Sequence, residues 1–329
     1  MCCDACAHHC SVPEGSSGIC GVRFNQGGVL QVPSGYATSV HADPIEKKPF
    51  FHVLPGSIAL SFGMLGCNFH CPFCQNWITS QAPRERDGGI PLSEITAAGM
   101  VSEAERRGAE SISSTYNEPV ITIEWALEIF RRARSRGLLT SFVSNGFASP
   151  EAIAALTPWL DCINIDLKGF TGEFYAELGG RLEPVLETIA ACCEAGIWVE
   201  VVTLIVPGCN DSPEELGAIA SFLAGISPDI PWHVTAYHPD YHYTEPGPTP
   251  PATLARAVEI GLANGLHHVY AGNLPGQLGA LESTRCPGCG EIVIERYGFR
   301  VVRNTLVYGT CPSCGREIAG RWENPHRSE

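Results

Sequence analysis

The sequence has no uninterrupted apolar stretch near the roughly 20 residues needed to span a bilayer, so no membrane-spanning helix is expected. Its first residues, Met1-Cys2-Cys3-Asp4-Ala5-Cys6, lack a charged lead and an apolar core and do not read as an export signal. Positive charge is scarce as well. Against 35 Asp and Glu stand 21 Lys and Arg, and the net −14 argues against a basic nucleic-acid surface. Charged residues make up only 17% and hydrophobic ones 44%, ordinary proportions for a chain with a packed core. A length of 329 residues suffices for one large domain with appendages, or for two domains.

Cysteine, by contrast, is abundant at 16 residues. Close pairs in a long chain without an export signal favour metal ligation in a reducing cytoplasm over disulfides. The central group is Cys67-x3-Cys71-x2-Cys74, following an apolar run over 58–65 that reads as a strand. Three thiolates are too few to enclose a tetrahedral structural zinc. They suit a four-iron, four-sulfur (4Fe–4S) cluster in which three irons are held and the fourth stays open for a ligand. With aromatic Phe73 before the last cysteine, the segment resembles the signature of radical S-adenosylmethionine (SAM) enzymes.

Two further cysteine sets flank this one. Cys3, Cys6, Cys10 and Cys20 lie in a segment too poor in apolar residues for its own core, so a metal staple is expected there. Four-thiolate zinc and a second iron–sulfur cluster both fit. At the other end, Cys286-Pro287-Gly288-Cys289-Gly290 and Cys311-Pro312-Ser313-Cys314-Gly315 repeat one knuckle, with short strands predicted at 292–294 and 300–302. The repeat predicts a zinc-ribbon or rubredoxin-like site, with zinc favoured and iron compatible.

The chain thus divides into a cysteine-rich extension over 1–56, a main domain over 57–282 and a ribbon module over 283–329. Residues 22–56 read as a short hairpin around Gly27-Gly28 and then an irregular approach. From residue 57, strands are predicted at 58–65, 111–116, 138–144, 162–167, 198–206, 233–237 and 268–271. Between them come helices at 91–107 with Ser93 as cap, 121–136, 150–156, 183–195, 213–223 and 251–263. The second helix sets Trp125, Ile129 and Ala133 on one face and an exposed Glu128–Arg132 pair on another. This α/β alternation predicts a parallel sheet wound one way, and a partial (β/α) barrel fits better than a doubly wound sheet. Ligands then gather at the C-terminal ends of the strands.

Chemistry-bearing residues recur at those ends. After the second strand comes Thr115-Tyr116-Asn117-Glu118-Pro119, whose carboxylate either receives the cationic amino group of SAM or caps a helix start. After the third, Ser144-Asn145-Gly146 offers small polar donors or an ordinary turn. The fourth ends in Asp166-Leu167-Lys168, with both charges on one face, as a structural pair or a ligand contact. Past the sixth strand, His238 is expected to touch the adenosine part or the substrate. A second metal among His233, His238 and His242 lacks standard spacing.

The match extends beyond the cluster motif. It includes the N-terminal cysteines, Asp43-Pro44-Ile45-Glu46-Lys47-Lys48-Pro49, Leu54-Pro55-Gly56-Ser57 and the cluster segment through Gln75-Asn76-Trp77. It also takes in Thr115-Tyr116-Asn117-Glu118-Pro119, His238-Pro239-Asp240-Tyr241, Val269-Tyr270-Ala271-Gly272-Asn273 and the terminal ribbon. Over nearly its full length the chain resembles the radical SAM member of the AmmeMemoRadiSam system, a relative of the pyruvate formate-lyase activating enzymes. Ala7, where proline is usual, and Met64, where a small polar residue is usual, depart from the pattern without touching a ligand.

The resemblance implies that SAM chelates the open iron and is reductively cleaved to methionine and a deoxyadenosyl radical, which abstracts hydrogen from a substrate. It implies that Cys67, Cys71 and Cys74 bind iron, that Phe73 lies near the adenine and that Glu118 holds the SAM amino group. Asn117, Ser144, Asn145, Asp166, Lys168 and His238 then shape the remainder, and an electron donor of the flavodoxin or ferredoxin type is required. Three enzyme readings share this core: modification of a peptide or protein, activation of a glycyl-radical enzyme, and small-molecule chemistry. A non-catalytic metal-ribbon module is the reading of a different class. Residues 285–329 carry seven Arg against five Glu, thin support for phosphate binding.

Overall fold

The structure, a computed structural model, describes residues 1–85 and 89–327, so residues 328–329 of the expected ribbon module lie outside the described residues. Eight strands form the main sheet: β1 (Ser39–Pro44), β2 (Ile58–Gly63), β3 (Ser111–Ser114), β4 (Leu139–Ser144), β5 (Cys162–Asp166), β6 (Trp198–Ile205), β7 (Trp232–Ala236) and β8 (Val269–Gly272). Strands β2 to β8 are parallel neighbours in chain order, and β1 pairs antiparallel with β2. An order without reversal means that each crossover returns the same way, which makes a barrel-type sheet and not a doubly wound one. Strands β8 and β1 are its edges, so the barrel is partial.

Besides two single turns at Trp77–Ser80 and Ala82–Glu85, the helices among the described residues are α1 (Ala97–Arg106), α2 (Ile123–Arg134), α3 (Pro150–Leu156), α4 (Gly172–Glu177), α5 (Leu182–Glu194), α6 (Pro213–Ile226) and α7 (Pro251–Ala263). Helix α2 buries Trp125, Ile129 and Ala133 and leaves the Glu128–Arg132 pair exposed at 3.5 Å. Helix α1 begins later than its sequence suggests. Ser93–Glu94 pairs as a two-residue strand with Tyr36–Ala37, and Thr96 becomes the cap, its hydroxyl accepting from the Gly99 N–H at 3.0 Å. Ser and Thr cap nearly equally well, so the sheet contact decides between them. Helix α4, capped by Thr171, was not signalled by the periodicity because it is only six residues long.

The approach segment is more ordered than an irregular reading allows. The hairpin Phe24–Gln26 with Val29–Gln31 is present. Beyond it, β1 joins the main sheet as an edge strand, where Pro44 is tolerated. The chain then plugs the barrel from its N-terminal end, packing Ile45, Phe50, Val53 and Leu54 against Ala59, Leu139 and Cys162. Polar side chains inside the barrel hold the plug's backbone. Glu200 accepts the N–H groups of Phe51 at 2.9 Å and His52 at 2.8 Å, and Asn164 donates to the Pro49 carbonyl at 2.8 Å. Those bonds are what make a fully buried Glu200 tolerable.

Candidate active site

Opposite the plug, at the C-terminal ends of the strands, lies a cavity of about 400 Å³ lined by Val143, Asp166, Leu204, Thr235 and Gly272. Cys67, Cys71 and Cys74 line it together on the loop after β2. None of the three is in a disulfide. Burial pushes Cys71 up to about 12, Cys67 well above its ordinary value and Cys74 up, so without metal all three are neutral thiols. The loop's backbone already serves sulfur, since the Phe69 N–H donates to Cys67 Sγ at 3.4 Å. Gly66, at φ +92°, permits the turn into this loop.

Glu118 follows β3, is 2% exposed and lines the same cavity. Its Oε1 accepts from Ser144 Oγ at 2.7 Å and from the Val120 N–H at 3.0 Å, and its Oε2 accepts from the Asn145 N–H at 2.8 Å. Glu118 is therefore a helix cap and a cavity carboxylate at once, with acceptor capacity left on Oε2. Burial raises it to about 7, against the pull of those three donors. Ser144 acts through Glu118 and does not line the cavity. Asn145 lines the cavity and donates Nδ2 to Asn68 Oδ1 at 2.7 Å, while Asn117 Oδ1 accepts from the Met64 N–H at 2.9 Å.

Lys168 Nζ meets Asp166 Oδ2 at 2.9 Å on the cavity wall. Burial alone would lower the lysine, but Asp166 beside it outweighs that and raises its pKa. Phe73 lines the cavity and stacks on Phe174 at 14° and 6.1 Å between centroids. His238 does not join the site. Strand β7 ends at Ala236, and His238 falls in the following turn, exposed and bonded locally to Pro239. The cavity histidine is His233, a 2.7 Å partner of Glu200.

The site also holds residues that strand-end reasoning missed. Lys48, 3% exposed, lines the cavity and bonds Asp43 at 3.1 Å and the Tyr116 hydroxyl at 2.9 Å. Asn273 lines it at a positive φ of 64°, and Phe299 enters from the terminal module. The double lysine after Asp43-Pro44 was a visible signal for Lys48. For Phe299 there was none.

Residues 63–223 match the Radical SAM superfamily. A protein of Methanocaldococcus jannaschii, described only as uncharacterized, is 40% identical over 321 residues, covering 96% of this chain and 94% of its own length. The chain belongs to the radical SAM superfamily. An isethionate sulfite-lyase activating enzyme of Nitratidesulfovibrio vulgaris is 28% identical over 149 residues, 43% of this chain and 47% of the relative. Among solved structures, a domain of a pyruvate-formate lyase-activating enzyme from Bacteroides vulgatus aligns with a TM-score of 0.43 and 20% identity, over 50% of this chain and all of that one. Streptococcus suis SuiB bound to S-adenosylmethionine aligns with a TM-score of 0.49 and 15% identity, over 69% of this chain and 52% of that one.

Superfamily membership makes this radical SAM chain an enzyme that uses a 4Fe–4S cluster and SAM. Its terminal module carries a distinct four-cysteine cluster. Strands β9 (Thr284–Arg285), β10 (Ile292–Tyr297) and β11 (Arg300–Asn304) form an antiparallel sheet. The sulfurs of Cys286, Cys289, Cys311 and Cys314 all lie within 4.8 Å of one another, with Cys286–Cys314 at 3.5 Å and Cys289–Cys311 at 3.7 Å. Burial works against ionisation of Cys286, yet the Cys289 and Gly288 N–H groups hold it down at about 7. Cys3, Cys6 and Cys20 are buried and Cys10 is half-buried at the other end of the chain. Among the described residues no helix is long and apolar enough to cross a membrane.

Proposed function

We propose that Cys67, Cys71 and Cys74 hold the 4Fe–4S cluster and that SAM binds in the cavity they line, as the AmmeMemoRadiSam resemblance implies. The observation that carries this reading is the convergence of the three cysteines, Glu118, Asn145 and the Asp166–Lys168 pair on one cavity. The donor set fits: three free cysteines on one cavity wall match a cluster that leaves one iron open. When bound, the cluster and SAM supply a deoxyadenosyl radical for hydrogen abstraction. The chain's own residues bind and orient. Glu118 offers its spare acceptor capacity to the SAM amino group, fixed by Ser144 and the Asn145 N–H. Lys168, kept charged by Asp166, faces the carboxylate or ribose side, and Phe73 offers an apolar face to the adenine. The plug closes the far end against water.

The favoured substrate is a peptide or protein side chain, or a small molecule, served by an electron donor of the flavodoxin or ferredoxin type in a reducing cytoplasm. A second reading, activation of a glycyl-radical enzyme, draws support from the isethionate sulfite-lyase activating relatives. The ribbon cysteines hold zinc on this reading, and the N-terminal four hold a metal as well. The test is anaerobic reconstitution, measurement of iron, sulfide and zinc, then addition of SAM and a reductant. Deoxyadenosine is expected, and the Cys71→Ser variant is expected to lose most cluster and all cleavage. Full cleavage by that variant would sink the assignment.

A further inference from the structure

The N-terminal segment is pinned against the cluster loop and against the start of α2. Arg23, 4% exposed, reaches the Glu124 carboxylate of α2 at 2.6 and 2.8 Å and the Ile121 carbonyl at 3.0 Å. Arg84 bridges the two loops directly, donating to the Ile19 carbonyl at 2.8 Å, the Cys67 carbonyl at 2.7 Å and the Phe69 carbonyl at 2.7 Å. At Gly66 the approach is so close that an added Cβ would lie 2.9 Å from the Cys20 carbonyl oxygen.

Within this contact two buried side-chain donors, Arg23 Nε and Asn68 Nδ2, have no hydrogen-bond partner among the described residues. Both sit beside the N-terminal set: Arg23 follows Cys20 by three residues, and His8 Nε2, between Cys6 and Cys10, meets the Asn68 carbonyl at 3.0 Å. A neutral thiol is a weak acceptor, whereas a metal-bound thiolate accepts N–H···S bonds that tune the metal. Two orphaned donors beside four buried or half-buried free cysteines suit thiolate acceptors in this set. The set is gathered: the Cys3 N–H donates to the Cys10 carbonyl at 3.0 Å, and a Cβ at Gly18, two residues before Cys20, would lie 3.5 Å from Cys10 Sγ. Among the described residues, however, only the ribbon brings three or more such ligand atoms within 4.8 Å of one another. Zinc at about 2.3 Å from each sulfur draws them to about 3.8 Å apart, and a cluster of several irons holds them wider.

We propose that Cys3, Cys6, Cys10 and Cys20 hold a second iron–sulfur cluster, and that it passes electrons one at a time through Asn68 to the cluster at Cys67, Cys71 and Cys74. The inference rests on that assignment of the catalytic cluster. In the transfer the N-terminal cluster is oxidised by one electron and the catalytic cluster reduced by one. A flavodoxin- or ferredoxin-type donor restores the first, and no bond forms or breaks. The route is short because Asn68, whose carbonyl meets His8 Nε2 at 3.0 Å two residues on from Cys6, is covalently joined to Cys67. Half-buried Cys10 gives the outer cluster its face to solvent, where a donor protein docks.

The test uses the full chain, reconstituted anaerobically. Wild type is expected to hold about eight irons, and a Cys67→Ala/Cys71→Ala/Cys74→Ala variant about four, with a reduced-state paramagnetic signal that no longer responds to SAM. A Cys6→Ser/Cys10→Ser variant is expected to lose the other four, to keep the SAM-responsive signal, and to lose reduction of that cluster by flavodoxin while a small chemical reductant still works. An iron-free triple variant carrying two zinc ions overturns the proposal, even if the double variant does not fold. So does flavodoxin reduction of the double variant at the wild-type rate. Loss of the SAM response in the wild type strikes instead at the catalytic-cluster assignment, which keeps the two failures apart.

Discussion

Arg296 is the cation on which the terminal module is locked to the barrel, and removing it gives a measurable consequence. Its fully buried guanidinium donates to Thr284 Oγ1 at 2.8 Å and to the Phe51 carbonyl at 2.7 Å. It lies 3.6 Å from the Glu46 carboxylate and 4.3 Å from the centre of the Phe51 ring. An Arg296→Met substitution keeps the apolar stem but takes the donor from the Phe51 carbonyl and leaves Glu46 buried without its counter-charge. Breaking a buried pair in this way costs about 3–5 kcal/mol. Burial already raises the Glu46 pKa, so protonation of Glu46 limits the loss to the lower end, about 3 kcal/mol. The loss is read locally. The Arg321 N–H bonds the His52 carbonyl at 2.7 Å and the Leu54 N–H bonds the Arg321 carbonyl at 2.9 Å, a bridge between plug and module. Hydrogen-exchange protection of these two amides is expected to fall about 100-fold, the equivalent of roughly 3 kcal/mol. A Glu46→Gln/Arg296→Met double variant is expected to recover part of it. In the single variant the loss deepens as pH rises above the ordinary carboxylate range, because a Glu46 with a raised pKa holds its proton more tightly folded than unfolded. A change of less than about threefold at both amides would mean that the module is held elsewhere.

Other expectations follow from the cavity and the ribbon. Glu118→Gln keeps the side-chain shape but removes the charge, and is expected to weaken SAM binding about 10- to 100-fold with iron content unchanged; equilibrium binding to the reconstituted protein checks it. Lys48, pulled down to about 8 by burial despite Asp43, binds its proton less tightly folded than unfolded. Between about pH 8 and the ordinary 10.5, wild type should therefore gain stability relative to Lys48→Met as pH rises, measured by urea unfolding at each pH. Cys311→Ser is expected to release the ribbon metal and loosen the β10–β11 hairpin while leaving the iron at Cys67, Cys71 and Cys74 in place. Metal analysis of the purified variant decides it.

The legible parts of this chain were those with local causes. Cysteine spacing is set by the ligand geometry of a single loop, so the three sets could be located without a fold. Strands β2 to β8 declared themselves because β-type runs alternate with helical ones, and chain order then gave the sheet order. Glu118, Asn145 and the Asp166–Lys168 pair could be placed at one mouth because they end successive strands. What could not be read depended on distant partners. The plug over 45–54 carries no periodicity of its own, and its place is decided by Glu200 and Asn164 far along the chain. His238 was placed at the mouth by counting residues from a strand whose end lay two positions earlier. Lys48 faces the cavity only because β1 folds back beside β2.

The plug also has a consequence for synthesis. The Phe51 and His52 amides wait for a carboxylate 149 and 148 residues later in the chain. At ribosomal rates of about 5–20 residues per second, that interval lasts roughly 7–30 s. Throughout it the plug has been made, while the barrel end that will receive it does not yet exist. The plug is thus kept waiting, its two amides left to water, until β6 brings Glu200 into place.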